Sequence, residues 1–449
     1  MAGTGLSRRN FLAASPFLLG LGALSNQSRL RADDGRPPVT RPRAIAGDER
    51  VQPAWDELLT VTVGPRDADL VGTSQKVIQA AVDYVAKLGG GTVHLQPGSY
   101  SLRAAVKLPS NIRLRGSGPD TLLTKPASIT TKLAEDSDWY DQEITLADAA
   151  GFQVGDDICL KSHPDHLKIP QILKRTLVAR SGNRFKLDRA LRENVWQLGQ
   201  ATCSSLYPLV TAEFQHNIAI ENLALDGNRA NNELLDGNYA GCVFLQDCRD
   251  VILRDVIARN YHGDGLSWQI CHDVTVENCT SQGHSGLGLH PGSGSQRPLI
   301  RHNRLIDNDI GIFFCWGVKF GLAEDNLCTG NRVGISIGHR DTDNLIRRNR
   351  IENSGLNGIL FRPERGPTFC AHRNRLEDNT ILNSGNEQGV AIDIQGGTEE
   401  VTFLRNKLQE TRHPAQRIGF RLGAETRQIQ LTDNAITGFA KEVVELPKT

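Results

Sequence analysis

An internal repeat limits most strongly what this 449-residue chain can fold into. Asn222, Asp255, Asn278, Asn303, Asn326, Asn349, Asn379, Asn406 and Asn434 each sit in a short strand-like stretch, and Ile218, Val251, Val274, Leu299, Leu322 and Leu345 precede the first six by four residues. Eight to thirteen residues beyond most of them a glycine opens a second short strand: Gly265, Gly286, Gly311, Gly334, Gly358, Gly389 and Gly419, with Gly241 an earlier member. The recurrence is about 21 to 33 residues. Such a unit cannot bury its apolar face alone, so neighbours must stack, and short strands joined by turns at this period give a parallel β-helix. Stacked asparagines can then bond to one another through their amides. A leucine-rich horseshoe would need Leu spacing and helices that the linking segments lack, and a propeller would need longer blades.

The flanking segments divide the chain. Ser7-Arg8-Arg9-Asn10-Phe11-Leu12 precedes an apolar stretch from Phe11 to Leu24 that is too short to span a bilayer well, so residues 1–32 resemble a twin-arginine export signal cut between Ala23 and Ala32. The expected location is periplasmic or extracellular. Residues 33–57, rich in Arg, Pro, Asp and Gly, read as a linker. Within 58–126, Val77, Ile78, Ala81, Val82 and Val85 recur at helical spacing between Ser74 and the stop Gly89-Gly90-Gly91, which predicts one short amphipathic helix. Residues 127–208 lose the repeat and alternate as antiparallel strands do, which predicts a small β-rich insertion looped out of the stack; 209–449 form the main β-helix. Nine cysteines, an odd number without a Cys-x-x-Cys pair, read as core thiols. Lys plus Arg equals Asp plus Glu at 51 each, so no global field draws the chain to nucleic acid or to a membrane surface.

Gln79-Ala80-Ala81, Gly89-Gly90-Gly91-Thr92-Val93, Pro97-Gly98-Ser99-Tyr100 and Ile112-Arg113-Leu114-Arg115-Gly116 resemble the opening of pectate lyase-like β-helix proteins. The resemblance covers roughly residues 58–125 and, through the repeats, 210–449. It implies an all-β, right-handed parallel β-helix, a solenoid whose first coil is capped by the short helix, and a polysaccharide as the partner. The superfamily includes lyases, hydrolases, epimerases and phage tailspikes, so activity has to be read from the site.

Positions one and three beyond each glycine are mostly apolar and face inward, so positions two and four face out. The fourth position gives an external column of Gln269, His290, Cys315, Gly338, Arg362 and Asp393. A second column just before the glycines holds His262, Asp264, His284, Asp309 and Arg332. Ordinary turns also place Asp and His beside glycine; the clustering of His262, Asp264 and His284 on adjacent coils is what singles them out.

A lyase acting on a uronic-acid chain needs a cation beside the sugar carboxylate and a base for the proton next to it. The expected catalytic residues are Asp264, His284, His290 and Arg362, with His290 or His284 as base. The expected substrate-binding residues are His262, Gln269, Asp309, Trp316, His339, Arg340 and Asp393. Arg362 and Asp393 could instead form a surface ion pair, while Trp268 reads as core. Pectin-hydrolysing members place an Asp before Gly-Ile and a Gly-Asp-Asp on the next coil. Asp264 in Tyr261-His262-Gly263-Asp264-Gly265-Leu266 takes the first place, but Gly283-His284-Ser285-Gly286 replaces the second. An inverting hydrolase would therefore have to pair Asp264 with Asp309, two coils away. Calcium serves many lyases of this fold, but Asp341, Asp343 and Glu364 read as solvated loop charges, so the metal stays open. A non-catalytic glycan-binding β-helix is the rival from another class.

Overall fold

The computed structural model describes residues 35–37, 55–164, 167, 169–363 and 366–447. The expected export signal lies outside the described residues, as do most of the linker and Glu364. The two halves of each repeat unit fall in two different parallel sheets. Asn-centred segments such as Leu299–Arg301, Leu322–Glu324 and Leu345–Arg347 stack in a sheet of 22 strands, and the glycine-opened strands stack in a sheet of 11. The result is a right-handed parallel β-helix.

The apolar positions after the glycines make the core as alternation requires. Leu266, Leu289, Ile312, Ile335, Ile359 and Ile392 sit in register in the smaller sheet and are fully buried. The repeated glycine has a steric cause: a Cβ on Gly288, Gly311 or Gly334 would meet the carbonyl oxygen of the next coil's glycine at 2.7, 2.6 or 2.5 Å. Trp268 is buried in this core.

The asparagine ladder exists, displaced by one residue at its start. Asn303, Asn326, Asn349, Asn379, Asn406 and Asn434 form it: the backbone and side-chain amides of each donate to the side-chain oxygen of the next, at 2.9–3.1 Å. Asn222, Asp255 and Asn278 are not members. They occupy the left-handed corner just before the ladder position, with φ of 55°, 54° and 55°, and Cys279 holds the ladder position of its coil, its N–H donating to Asn303.

Among the described residues the only α-helix is Gln75–Lys87, which buries Ile78, Ala81, Val82 and Val85 over the first coil. No described helix is long and apolar enough to cross a membrane. The segment between Thr130 and Ser204 folds as a six-stranded antiparallel sheet with its own core around Leu146, Phe152, Leu177 and Phe185. It does not merely hang from the stack: Asp156 receives the Arg103 guanidinium at 2.6 and 2.8 Å, Asp157 bonds Lys107 Nζ at 2.9 Å, and Cys159 belongs to the main core. All nine cysteines are unbridged, and all but the half-buried Cys315 are buried.

Candidate functional site

The strands Asp264–Gln269, Leu287–Gly292, Ile310–Phe313, Val333–Ile337, Asn357–Phe361 and Val390–Ile394 present their alternate residues on the outer face of the smaller sheet. One outer row runs Ser267, His290, Phe313, Ser336, Leu360, Asp393 and Arg421, and the next holds Gln269, Gly292 and Cys315. The expected single column is thus two rows. His290 and Asp393 lie two residues nearer the strand start than Gln269 and Cys315, because the register partner of Gly311 is Gly288, not Gly286, and that of Gly358 is Ala391, not Gly389. A shift of two keeps the face and changes the row. Nor is this stretch open to solvent: Asp264, Ser267, Gln269, His290 and Asp393 are all buried.

Asp264 and His290, on adjacent coils, meet. Asp264 Oδ2 lies 2.8 Å from His290 Nδ1, and its Oδ1 accepts the Leu287 N–H at 2.9 Å. A carboxylate can only accept, so Nδ1 is the donor, and Asp264 fixes which ring nitrogen carries the proton whenever the ring holds only one. Nε2 is buried and makes no hydrogen bond to a described residue; neither does Gln269 Oε1 nearby. Orphaned buried polar atoms cost about 1–3 kcal/mol each and ask for an explanation.

A segment of the 227–240 connection lies over this pair. Ser267 Oγ donates to the Gly237 carbonyl at 2.6 Å, His262 Nδ1 is 2.8 Å from the Asn232 carbonyl, and the Leu235 N–H donates to the His262 carbonyl at 3.0 Å. A Cβ on Gly237 would fall 1.6 Å from Asp264 Oδ2, so any larger residue there would push the Asp264 carboxylate from its place. His262 is therefore a tether for this segment.

On the far side, the edge of the Phe313 ring meets His290 at 5.4 Å and the Arg362 guanidinium stacks over the Phe313 face at 4.2 Å. Arg362 is bonded to Ser336 Oγ at 2.8 Å, the Phe314 carbonyl at 3.1 Å and His339 Nδ1 at 2.9 Å. Among the described residues its carboxylate neighbour is Asp341 at 3.6 Å, not Asp393, which is held by Arg421 and Gln395. Asp341 is the clearest reversal among the charges read as solvated: it is fully buried and accepts the N–H groups of Gly317, Val318 and Gly338 at 2.8–3.0 Å. Burial pushes its pKa up to about 7, against the pull of Arg362 and these amides. Trp316, 41% exposed, stacks on His339 at 4.9 Å and meets the edge of Phe369, while the Arg340 guanidinium covers the Phe369 ring at 3.9 Å.

His284 does not join the site. Its ring points into the coil, where Nδ1 accepts the Tyr261 N–H at 3.0 Å, and its own N–H donates to Asn308, whose N–H donates in turn to Asn331. It takes in its coil the place that those asparagines take in theirs. Burial lowers its pKa to about 3, and it cannot act as an external base. Asp309 is bonded by the Arg332 guanidinium and is not a free partner for Asp264. Among the described residues no three His, Cys, Asp or Glu side chains are grouped to hold a metal ion.

Sequence reasoning did not single out Ser267, Phe313, Ser336 or Gly237. The first three would have emerged from the correct glycine register; nothing local marks Gly237.

A family profile described as "Right handed beta helix region" matches residues 241–408. No curated protein matches the chain in sequence. Among solved structures, the surface adhesin PfbA of Streptococcus pneumoniae is similar at 13% identity over 85% of this chain and 93% of that one, with a TM-score of 0.55. The A-module of the mannuronan C-5 epimerase AlgE4 of Azotobacter vinelandii is similar at 16% identity, 86% and 98% coverage and a TM-score of 0.48. A hyperthermoactive exopolygalacturonase of Thermotoga maritima gives 13%, 81% and 88%, and 0.43. What the chain shares with the adhesin is the right-handed parallel β-helix.

Proposed function

We propose that the chain is an exported protein that cleaves an acidic polysaccharide by β-elimination on the outer face of the eleven-stranded sheet. The observation that carries this reading is His290 Nε2, a buried imidazole nitrogen without a hydrogen bond to a described residue, held in one tautomer by Asp264. Nε2 takes the proton from the carbon beside the uronate carboxylate. The C–O bond at the neighbouring carbon then breaks, its electron pair leaves with the departing sugar oxygen, and a C=C bond forms between the two carbons. Arg362, on the other side of Phe313, is the cation for the carboxylate, whose charge grows as the proton departs. The segment through Gly237 has to withdraw for a sugar to reach Nε2. Hydrolysis is less well supported, because Asp264 has no free carboxylate partner in Asp309.

The cover over the dyad favours one other reading, a β-helix that binds a glycan without cleaving it. Incubation with a panel of uronic-acid polymers, following ultraviolet absorbance and reducing ends together, separates the two. Elimination raises both signals, and His290→Ala lowers turnover by roughly 10²–10⁴-fold, the range for a lost general base. Reducing ends without absorbance would replace elimination by hydrolysis. Binding without either signal would leave the non-catalytic reading.

A further inference from the structure

The outer row that contains His290 continues towards the N-terminal end of the sheet as Ser267, Phe244, Thr211 and Lys107. Its last strand, Val106–Lys107, is the sheet edge. The antiparallel insertion stands beside this end, and between the two is a cavity of about 520 Å³, within the range of small-ligand sites. Its walls combine an apolar side, including Leu108, Pro109, Tyr207 and Pro208, with charged groups of both signs.

Two of its cations form no ion pair with a described residue, although Asp188 and Glu213 stand near Arg175. Arg175 is 8% exposed, bonds the carbonyls of Lys174 and Ala190 at 2.7 and 2.8 Å and that of Leu191, forms no ion pair with a described residue, and leaves a buried Nε without a hydrogen bond to a described residue. Arg189 is exposed and its side chain forms no hydrogen bond or ion pair with a described residue. The cavity is also closed behind. Gln79 of the helix donates to the Lys107 carbonyl at 3.0 Å and accepts the Lys107 N–H at 2.8 Å, so the helix caps the edge strand and the face runs no further.

We infer that this cavity binds the terminal residue of a uronic-acid chain. The apolar wall fits a sugar-ring face, the mixed donors and acceptors fit its hydroxyls, and Arg175 with Arg189 receives its carboxylate. The inference rests on the reading that the outer face carries an acidic glycan. Thr211 at the cavity and His290 are three strands apart, about 14 Å at the usual ~4.8 Å spacing. A chain end held in the cavity places one particular linkage under His290, so cleavage releases oligosaccharides of one dominant length.

The test titrates the full-length protein with uronic-acid oligomers of defined length, from monomer to hexamer, by calorimetry, and sizes the products from polymer by mass spectrometry. The oligomers should bind one to one, glucose oligomers should not, and Arg189→Ala should weaken uronate binding at least tenfold. Arg189 is on the surface, so its replacement leaves the fold intact. The wild type should yield one dominant product length and Arg189→Ala a broad spread. Equal binding by wild type and Arg189→Ala would overturn the subsite. Arg189-dependent binding with no cleavage of any polymer would keep the subsite and discard the elimination.

Discussion

A carboxylate enclosed by a turn must find donors or take up a proton, and Asp341 does some of each. Its oxygens accept three backbone amides and face Arg362, yet burial still holds its pKa at about 7. A folded pKa raised above the unfolded value contributes stability that is complete below the ordinary carboxylate range and is lost as pH rises through about 7. His284 works in the other direction: with a folded pKa near 3, its contribution is complete above the ordinary imidazole range and is lost as pH falls. The two oppose each other between about pH 4 and 6.5, so the wild type alone hides both. Asp341→Asn keeps an oxygen for the Gly317 and Val318 amides and removes the titration. The melting temperature of the variant relative to wild type should therefore climb from pH 5 to pH 8. A difference independent of pH would mean that Asp341 does not titrate in that window. Neither residue was legible as buried, because an acceptor that serves the preceding coil's amide looks in sequence like any polar turn residue.

From Asn303 to Asn434 each coil carries its asparagine at a corner where the preceding residue is left-handed, and both positions favour the same residue types. That is why the period could be read from the chain while its phase slipped by one between Asn278 and Asn303. The smaller sheet tells a parallel story. Inward and outward faces were legible from alternation, and that brought Asp264 and His290 to adjacent coils. The rows were not, since two glycines near each strand start are equivalent by parity. The ladder itself gives a graded prediction. Asn349 is 1% exposed, and Asn349→Ala strands the Asn326 N–H and the Ala323 carbonyl. At about 1–3 kcal/mol per orphaned group, the loss should be roughly 2–6 kcal/mol in urea denaturation. Asn434 ends the ladder in a half-exposed setting where water replaces the lost bonds, so Asn434→Ala should cost clearly less. Equal losses would mean that the ladder is not what holds these corners.

In a solenoid each coil touches only its neighbours, so damage stays local unless an element ties distant coils together. The insertion has its own core, which argues for independence, but it also grips the first coils through Arg103–Asp156 and Lys107–Asp157, and Cys159 packs into the main core. Replacing residues 130–204 by a short Gly-Ser linker tests which tie dominates. The strands between Leu59 and Thr124 lose those partners, whereas the coils from Leu299 to Thr437 keep every neighbour. Amide hydrogen exchange should therefore speed up in the first region and stay unchanged in the second, with a β-dominated circular dichroism spectrum. Uronate oligomers should no longer bind, because one wall of the cavity is gone, and Lys107 and Thr211 become open to solvent. Faster exchange spreading through the later coils would show instead that the insertion is part of what nucleates the whole stack, and that the β-helix and its appendage form one cooperative unit.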